Sequence, residues 1–446
     1  MEQSNHEQNP SATGTIDDGP TRLPAAILAR NQLSIYLSAG LIFGGFTVVM
    51  PFLPLYVKQL GISDVAEIAL WSGLLFSVTP MLAAALGPFW GKLGDRFGLK
   101  VMAQRVTISM VVSWALFGFA ANVYHLLALR ILLGLFGGFN AVALALLTQG
   151  CTGAQIGSVI GRLQTVQITS TALGPLVGGF LADHVGIRQT CLVTAALCLI
   201  SLLSIVFWYR EPPSRVDRPK TRVRADNQET LQPAYSTLSL LKWPNFAVVA
   251  LLLLSIQFLD RTLGPIIPLY VTALGTAEAS IAKTAGLIVS VGALASALSA
   301  LLIGDRLNKA SPKRLLIITL FCGALISVPL AFVRTSNEFL VLRGLLGLFV
   351  GGSITIAYAI GALNIPAGGR GASFGLFSSA GLLGGSLGPI IAGLLTRYSF
   401  RTVFLVNAAM YLALIPLVLC CLRWPKGQPP GAQLSPTTEG PLPSDE

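Results

Sequence analysis

Residues 51–57 read Pro-Phe-Leu-Pro-Leu-Tyr-Val, and residues 265–271 read Pro-Ile-Ile-Pro-Leu-Tyr-Val. Leu60-Gly61 follows the first copy as Leu274-Gly275 follows the second, so the offset of 214 holds beyond the matched words. Working outward, Gly94-Asp95-Arg96 returns as Gly304-Asp305-Arg306. Arg130 with Gly134-Leu135-Phe136 returns as Arg343 with Gly347-Leu348-Phe349, and Gly174-Pro175 with Gly179 returns as Gly388-Pro389 with Gly393. Apolar letters match easily by accident. Proline, arginine and aspartate at a nearly constant offset do not, so the chain reads as two copies of one unit.

Each copy is built for lipid. Of 446 residues, 53% are hydrophobic and 11% charged, against about 25% charged in soluble domains. A bilayer-crossing helix needs roughly 20 apolar residues, and twelve such runs are expected at about 32–57, 67–90, 101–121, 124–149, 157–182, 187–209, 244–271, 284–304, 313–333, 338–362, 372–396 and 400–422. The short alternating segments of a membrane β-barrel are absent from the sequence. The expected fold is an all-α membrane protein of twelve transmembrane helices in two pseudo-symmetric six-helix domains. Its parts are a polar tail (1–31), a six-helix domain (32–209), a basic linker (210–243), a second six-helix domain (244–422) and a disordered tail rich in Pro, Gly and Ser (423–446). The first 30 residues hold no apolar run of the kind a cleavable signal needs, so the first span is expected to target the chain itself.

The net charge of +11 does not indicate nucleic acid, because the basic residues fill short gaps between apolar runs rather than one face. Their distribution is topological. With both termini inside, 21 of the 30 Lys and Arg fall on inner segments and span ends, and 6 on outer loops; cytoplasmic loops carry this excess. The expected location is therefore the plasma (inner) membrane, multi-pass, with cytoplasmic termini. The six cysteines sit in or beside apolar runs without ligand spacing, so no metal and no disulfide framework is expected. His6, His125 and His184 are isolated. Nucleophile–base constellations and the phosphate loop G-x-x-x-x-G-K-[ST] are both missing from the sequence, so neither an enzyme nor ATP-driven transport is expected, and no cofactor.

Parallel six-span repeats are one transporter architecture. The stretch Val49-Met50-Pro51-Phe52-Leu53-Pro54-Leu55-Tyr56-Val57, with Trp71-Ser72-Gly73 and Pro88-Phe89-Trp90-Gly91, resembles the twelve-span drug:proton antiporter branch of the major facilitator superfamily. Within that branch the chain is most similar to multidrug efflux proteins of the MdtG type. The resemblance implies a gating loop at Gly91, Asp95, Arg96, Gly98 and Lys100, whose aspartate meets the start of span 11 around Gly371–Phe374. Leu99 departs from the usual basic residue there. It also implies a hinge motif in span 5 at Gly174, Pro175, Gly178 and Gly179, with Ser170 where a glycine is usual. Small residues allow close helix approach and proline a bend, so ordinary packing explains the same residues.

Charges inside the bilayer cost at least about 2.5 kcal/mol and face a wet cavity or a partner. Arg130, Asp260, Arg261 and Arg343 are such charges and are the candidates for proton coupling. The resemblance gives Arg130 a proton-relay role; a hydrogen bond to a backbone carbonyl is the structural alternative. Gln257, Asp260, Arg261 and Gly264 lie on one helical stripe. Arg261, adjacent in sequence, is not expected to neutralise Asp260. Many relatives carry an acid in span 1 and this chain has none between Asn31 and Gly61, so Asp260 is expected to take that role unless it is a structural ion pair with Arg130 or Arg343. In the family spans 1, 4, 7 and 10 line the cavity. Tyr36, Phe43, Phe46, Asn140, Gln257 and Tyr358 are then substrate-binding candidates, of types suited to amphipathic compounds.

The expected function is secondary active transport: proton-coupled efflux of hydrophobic or amphipathic small molecules by alternating access. The partners are substrate, protons and the lipid bilayer, and the chain is expected to be a monomer. A metabolite (sugar or organic acid) uniporter or symporter is the alternative, and a non-transporting membrane sensor of the same fold a further one.

Overall fold

A computed structural model of the protein describes residues 24–149, 151, 153–211, 245–307, 310–363 and 370–422. These form twelve membrane-crossing elements, all helical. Span 1 runs Ala25–Val49, a 3-10 turn Met50–Phe52, then Leu53–Gln59. Span 2 is Val65–Phe97, span 3 Leu99–Phe117, and span 4 is split into Val123–Leu135 and Phe139–Thr148. Span 5 is Gly153–Val185 and span 6 Ile187–Phe207. Span 7 is Phe246–Thr262 with Ile266–Ala273, span 8 Ile281–Leu307 and span 9 Pro312–Leu330. Span 10 is Ser336–Val350 with Ser353–Leu363, span 11 Arg370–Leu395 and span 12 Phe400–Cys421. Eleven of the twelve are long and apolar enough to cross a bilayer. Span 5 is long enough at 33 residues, but Gln155, Arg162, Gln164 and Gln167 make its first half too polar.

Spans 1, 4, 7 and 10 are the broken ones, and the breaks match across the repeat. Proline opens span 1 at Pro51 and span 7 at Pro265; glycine opens span 4 at Gly137-Gly138 and span 10 at Gly351-Gly352. Gly138 takes φ +105°, a left-handed value that a side chain would strain. Carbonyls released at the span 4 break are caught by neighbours. The Trp90 indole N–H donates to the Leu135 carbonyl at 2.7 Å, and Arg105 donates to that of Gly137 at 3.3 Å. Backbone polar groups at membrane depth need such partners.

The two copies also repeat their contacts. The Lys100 ammonium donates to the Val206 and Tyr209 carbonyls, closing the end of span 6; Lys313 does the same to Leu419 and Leu422 at the end of span 12. Tyr56 donates to the Phe117 carbonyl and Tyr270 to that of Leu330. Gly174 sits on the Gly44 carbonyl, Gly388 on that of Phe258.

Spans 2 and 5 of the first half pack on spans 11 and 8 of the second. The termini of the bundle, where span 1 starts and span 12 ends, define one face; the far face lies opposite. Near the far face four glycines meet backbone of the other half: Gly73 on Pro389, Gly393 on Ala69, Gly286 on Pro175 and Gly179 on Ala282. The first and third pairs are related by the repeat, as are the second and fourth. Toward the terminal face, Gly87, Gly157, Gly161, Gly304 and Gly375 of the same four spans have open space where a side chain would be. Among the described residues, the seam between the halves is therefore closed on the far face and open on the terminal one.

Candidate transport pathway

Toward the open side of the seam the first half presents two clusters. Tyr36 of span 1 donates to the Val159 carbonyl of span 5 at 3.2 Å. Phe43 meets Phe139 edge-on at 6.4 Å, and beside Phe139 the Asn140 side chain accepts from Gln167 at 2.7 Å. Asn140 is exposed and Gln167 half-buried, so this amide pair offers polar atoms beside an aromatic wall. Gln167 is a pathway residue that sequence reasoning missed; its spacing from Asn140 carries no signal. Phe46 is half-buried at the position that the repeat matches to Asp260. It packs edge-on against Trp114 at 6.1 Å and under Arg130 at 5.4 Å, inside the first half.

Arg130 is 1% exposed. Its Nε donates to the Leu75 carbonyl of span 2 at 2.7 Å, Thr79 returns a bond to the Arg130 carbonyl, and Nη1 is buried without a partner. This is the backbone-carbonyl arrangement that stood as the structural alternative. No acid faces it among the described residues. Its mate Arg343 is only half-buried and lies against Gly292 of span 8, where a Cβ would come within 2.8 Å of Cζ.

Asp260 makes its contact with neither Arg130 nor Arg343. The Arg261 Nε stands 3.8 Å from its Oδ2, with the two side chains 61% and 47% exposed for Arg261 and Asp260. Adjacent residues on a helix point apart, yet the long guanidinium folds back to reach the carboxylate, which differs from the sequence expectation. Asp260 also interacts electrostatically with Tyr411 of span 12, which in turn feels Arg343 of span 10. The Asp260 side chain is nonetheless 47% exposed, so the carboxylate is not enclosed within the second half. Tyr411 is buried and was not foreseen, because a tyrosine in an apolar run is indistinguishable from ordinary packing. Gln257 and Arg261 lie over Gly381 and Gly385 of span 11, and Gly264 lies under Phe76 of span 2, where the far face closes. Of the predicted stripe, Gln257 and Arg261 thus pack within the second half and Gly264 reaches the first half at the seal. Tyr358 is half-buried on span 10.

In the loop between spans 2 and 3, Gly98 has φ +90°. The Glu211 carboxylate accepts the Leu99 N–H at 3.0 Å, and Lys100 caps span 6. Lys100 thus anchors the loop to its own half. Arg96 lies over the Phe97 ring. The side chain of Asp95 and residues 364–369 lie outside the described set, as do the side chains of Arg370, Ala372 and Phe374. The expected contact of Asp95 with the start of span 11 falls there. Span 5 carries Gly174, Gly178 and Gly179 against Thr47, Val48 and Ala282, with Pro175 at the Gly286 contact; the motif packs span 5 on span 1 and on span 8 at once. Among the described residues no cluster of His, Cys, Asp or Glu could hold a metal.

Two six-helix repeats, each with two broken helices, and a seam closed on one face and open on the other define a membrane transporter. The comparisons agree. The model of the Major Facilitator Superfamily matches residues 35–337 and again 249–445, and the chain belongs to that superfamily. It is 36% identical to the multidrug resistance protein MdtG of Klebsiella pneumoniae (strain 342), over 86% of this chain and 91% of that one. It is 35% identical to the MdtG protein of Salmonella schwarzengrund (strain CVM19633), over 86% and 93%. Among solved structures, the nucleoside transporter NupG superimposes with a TM-score of 0.71 at 14% identity, covering 88% of this chain and all of that one. A bacterial homologue of the lysosomal transporter Spinster, inward-facing and unoccupied, gives 0.71 at 17%, covering 91% and 100%.

Proposed function

We propose that this transporter exports hydrophobic and amphipathic compounds across the inner membrane in exchange for protons. The observation that carries the reading is the exposed Asp260–Arg261 pair of the second half, in a membrane domain with no other acid at that depth. A proton on Asp260 ends its attraction to Arg261, so binding and release of a proton change the charge of the pathway. Tyr36, Phe43, Asn140, Gln257 and Tyr358 supply aromatic and amide contacts for a solute of varied shape. The relatives named multidrug resistance proteins support this choice of cargo.

The orientation follows the basic residues: both termini are cytoplasmic, the terminal face opens inward, and the chain works as a monomer. The polar segments 1–31, 210–243 and 423–446 lie on the cytoplasmic side of the two six-helix domains 32–209 and 244–422. The Asp95 loop acts as the cytoplasmic gate, and Gly174-Pro175 with Gly178-Gly179 as the hinge. Rocking about the seam presents the pathway to each side in turn. Each 100 mV of membrane potential supplies about 2.3 kcal/mol per charge moved, enough for appreciable accumulation.

The test is a proteoliposome assay with an imposed pH gradient and a fluorescent cationic dye. Dye moves against proton flow with the unaltered protein, and Asp260→Asn abolishes that movement while the protein stays monodisperse. Gradient-driven movement at full rate in Asp260→Asn removes the proposal.

A further inference from the structure

The far face is shut at one point by a carboxylate from the opposite half. Asp183, at the end of span 5, accepts a hydrogen bond from the backbone N–H of Lys283 at 2.8 Å. Lys283 is the third residue of the span 8 helix. The first N–H groups of a helix have no partner within it, and the dipole there is positive. A side chain of the first half therefore caps a helix of the second. Gly179, one turn earlier on span 5, rests on the Ala282 carbonyl and the Lys283 Cα, which brings the carboxylate into reach. Alongside, Lys58 at the end of span 1 stands 3.8 Å from Glu278, just before span 8. The related seam between spans 2 and 11 has the same backbone contact at Gly393, but among the described residues the first turn of span 2 is capped from its own half, by Asp64 accepting the Glu67 N–H at 2.8 Å. The position matching Asp183 there, by the same offset of 214, is Arg397, a cation with no acceptor to offer a helix N-terminus.

We propose that Asp183 is the latch of the far face, holding the terminal-open state by capping span 8, and that this bond breaks whenever the far face opens. Spans 5 and 8 must part for that opening, and the carboxylate is the charged group whose partner then becomes water. The proposal rests on the rocking reading, but its test uses neither substrate nor proton gradient, so it can fail while transport stands.

Spin labels at Ala121→Cys and Asn337→Cys, both exposed near the far face on opposite halves, report the separation of the halves in a cysteine-free full-length chain in liposomes. Asp183→Ala raises the long-distance population about two- to five-fold, as expected for loss of a charge at an accessible helix N-terminus. Asp183→Asn keeps an acceptor oxygen and shifts it less. Lys283→Pro removes the donated N–H from the other side, at a first-turn position where proline is tolerated. It reproduces the Asp183→Ala shift, and the double variant goes no further than either single one. Glu278→Gln, removing an exposed pair, changes little. Distance distributions for Asp183→Ala or Lys283→Pro that match the unaltered protein overturn the proposal, as do shifts that add in the double variant. Gel filtration of each variant separates a shifted equilibrium from a misfolded chain.

Discussion

The first half of the molecule is zipped by hydroxyls and the second by leucines. In the first, span 1 lies close along span 6: Ser34 bonds the Ser204 carbonyl and meets its hydroxyl at 2.9 Å, Ser38 bonds the Ser201 carbonyl, and Thr194 bonds that of Gly45. Asn31 holds both backbone groups of Arg210. The repeat places Val248, Leu252, Leu414 and Leu417 at the four serine positions. Those larger side chains keep span 7 further from span 12. Spans 7 and 12 meet through Asn407, which donates to the Thr262 hydroxyl at 2.9 Å. Where the first half has Phe46 and Thr47, the second has Asp260 and Arg261. One scaffold thus yields a first half in which span 1 runs close along span 6 and a second in which span 7 stands off span 12 and carries the exposed Asp260–Arg261 pair. Serine pairs let helix backbones approach, whereas leucines separate them.

The arginines break this comparison most sharply. Arg130 is a buried cation with, among the described residues, one bonded nitrogen and no counter-ion, so its charge is retained at a cost to stability. Arg130→Ala should lose about 2–4 kcal/mol, because a large buried volume is emptied. Arg130→Met should hold stability within about 1 kcal/mol or raise it, and Arg343→Met should move it by about 0.5 kcal/mol or less. Thermal melting in detergent reads all three. An Arg130→Met protein as unstable as Arg130→Ala would show that the guanidinium, rather than its volume, holds spans 2 and 4 together.

The helix spacing gives a second contrast. Ser34→Leu imposes the second half's pattern on the first and should lose about 1–3 kcal/mol by overpacking. Val248→Leu, at the matching site, should lose less than about 1.5 kcal/mol. Equal losses at the two sites would mean that the spacing is set elsewhere. The smallest effect tests sameness. Lys100→Met and Lys313→Met each uncap a helix end and should each lose about 0.3–1 kcal/mol, equally, in the same melting experiment.

The repeat and the twelve spans were legible because proline, glycine and charged residues recur at a constant offset where lipid tolerates few of them. The breaks in spans 1, 4, 7 and 10 were not read, and neither were the helix ends. Span 1 begins at Ala25 rather than near 32, and span 2 continues to Phe97 rather than ending near 90. Apolar runs stop at the first polar residue, while the backbone ladder continues through the interface. Residues acting through distant partners were hidden for the same kind of reason. Glu211 accepts the Leu99 N–H from 112 positions away, and Asp183 that of Lys283 from 100. The packing of Phe46 on Trp114 and under Arg130 was equally hidden, because the partners lie 68 and 84 positions away.

The glycines at Gly73, Gly179, Gly286 and Gly393 place main chain directly on main chain across the far-face seam. Such a join freezes almost no rotamers when it forms and liberates almost none when it parts. The conformational entropy of switching is then nearly balanced, and a few charged groups at the rim are enough to decide which way the molecule faces.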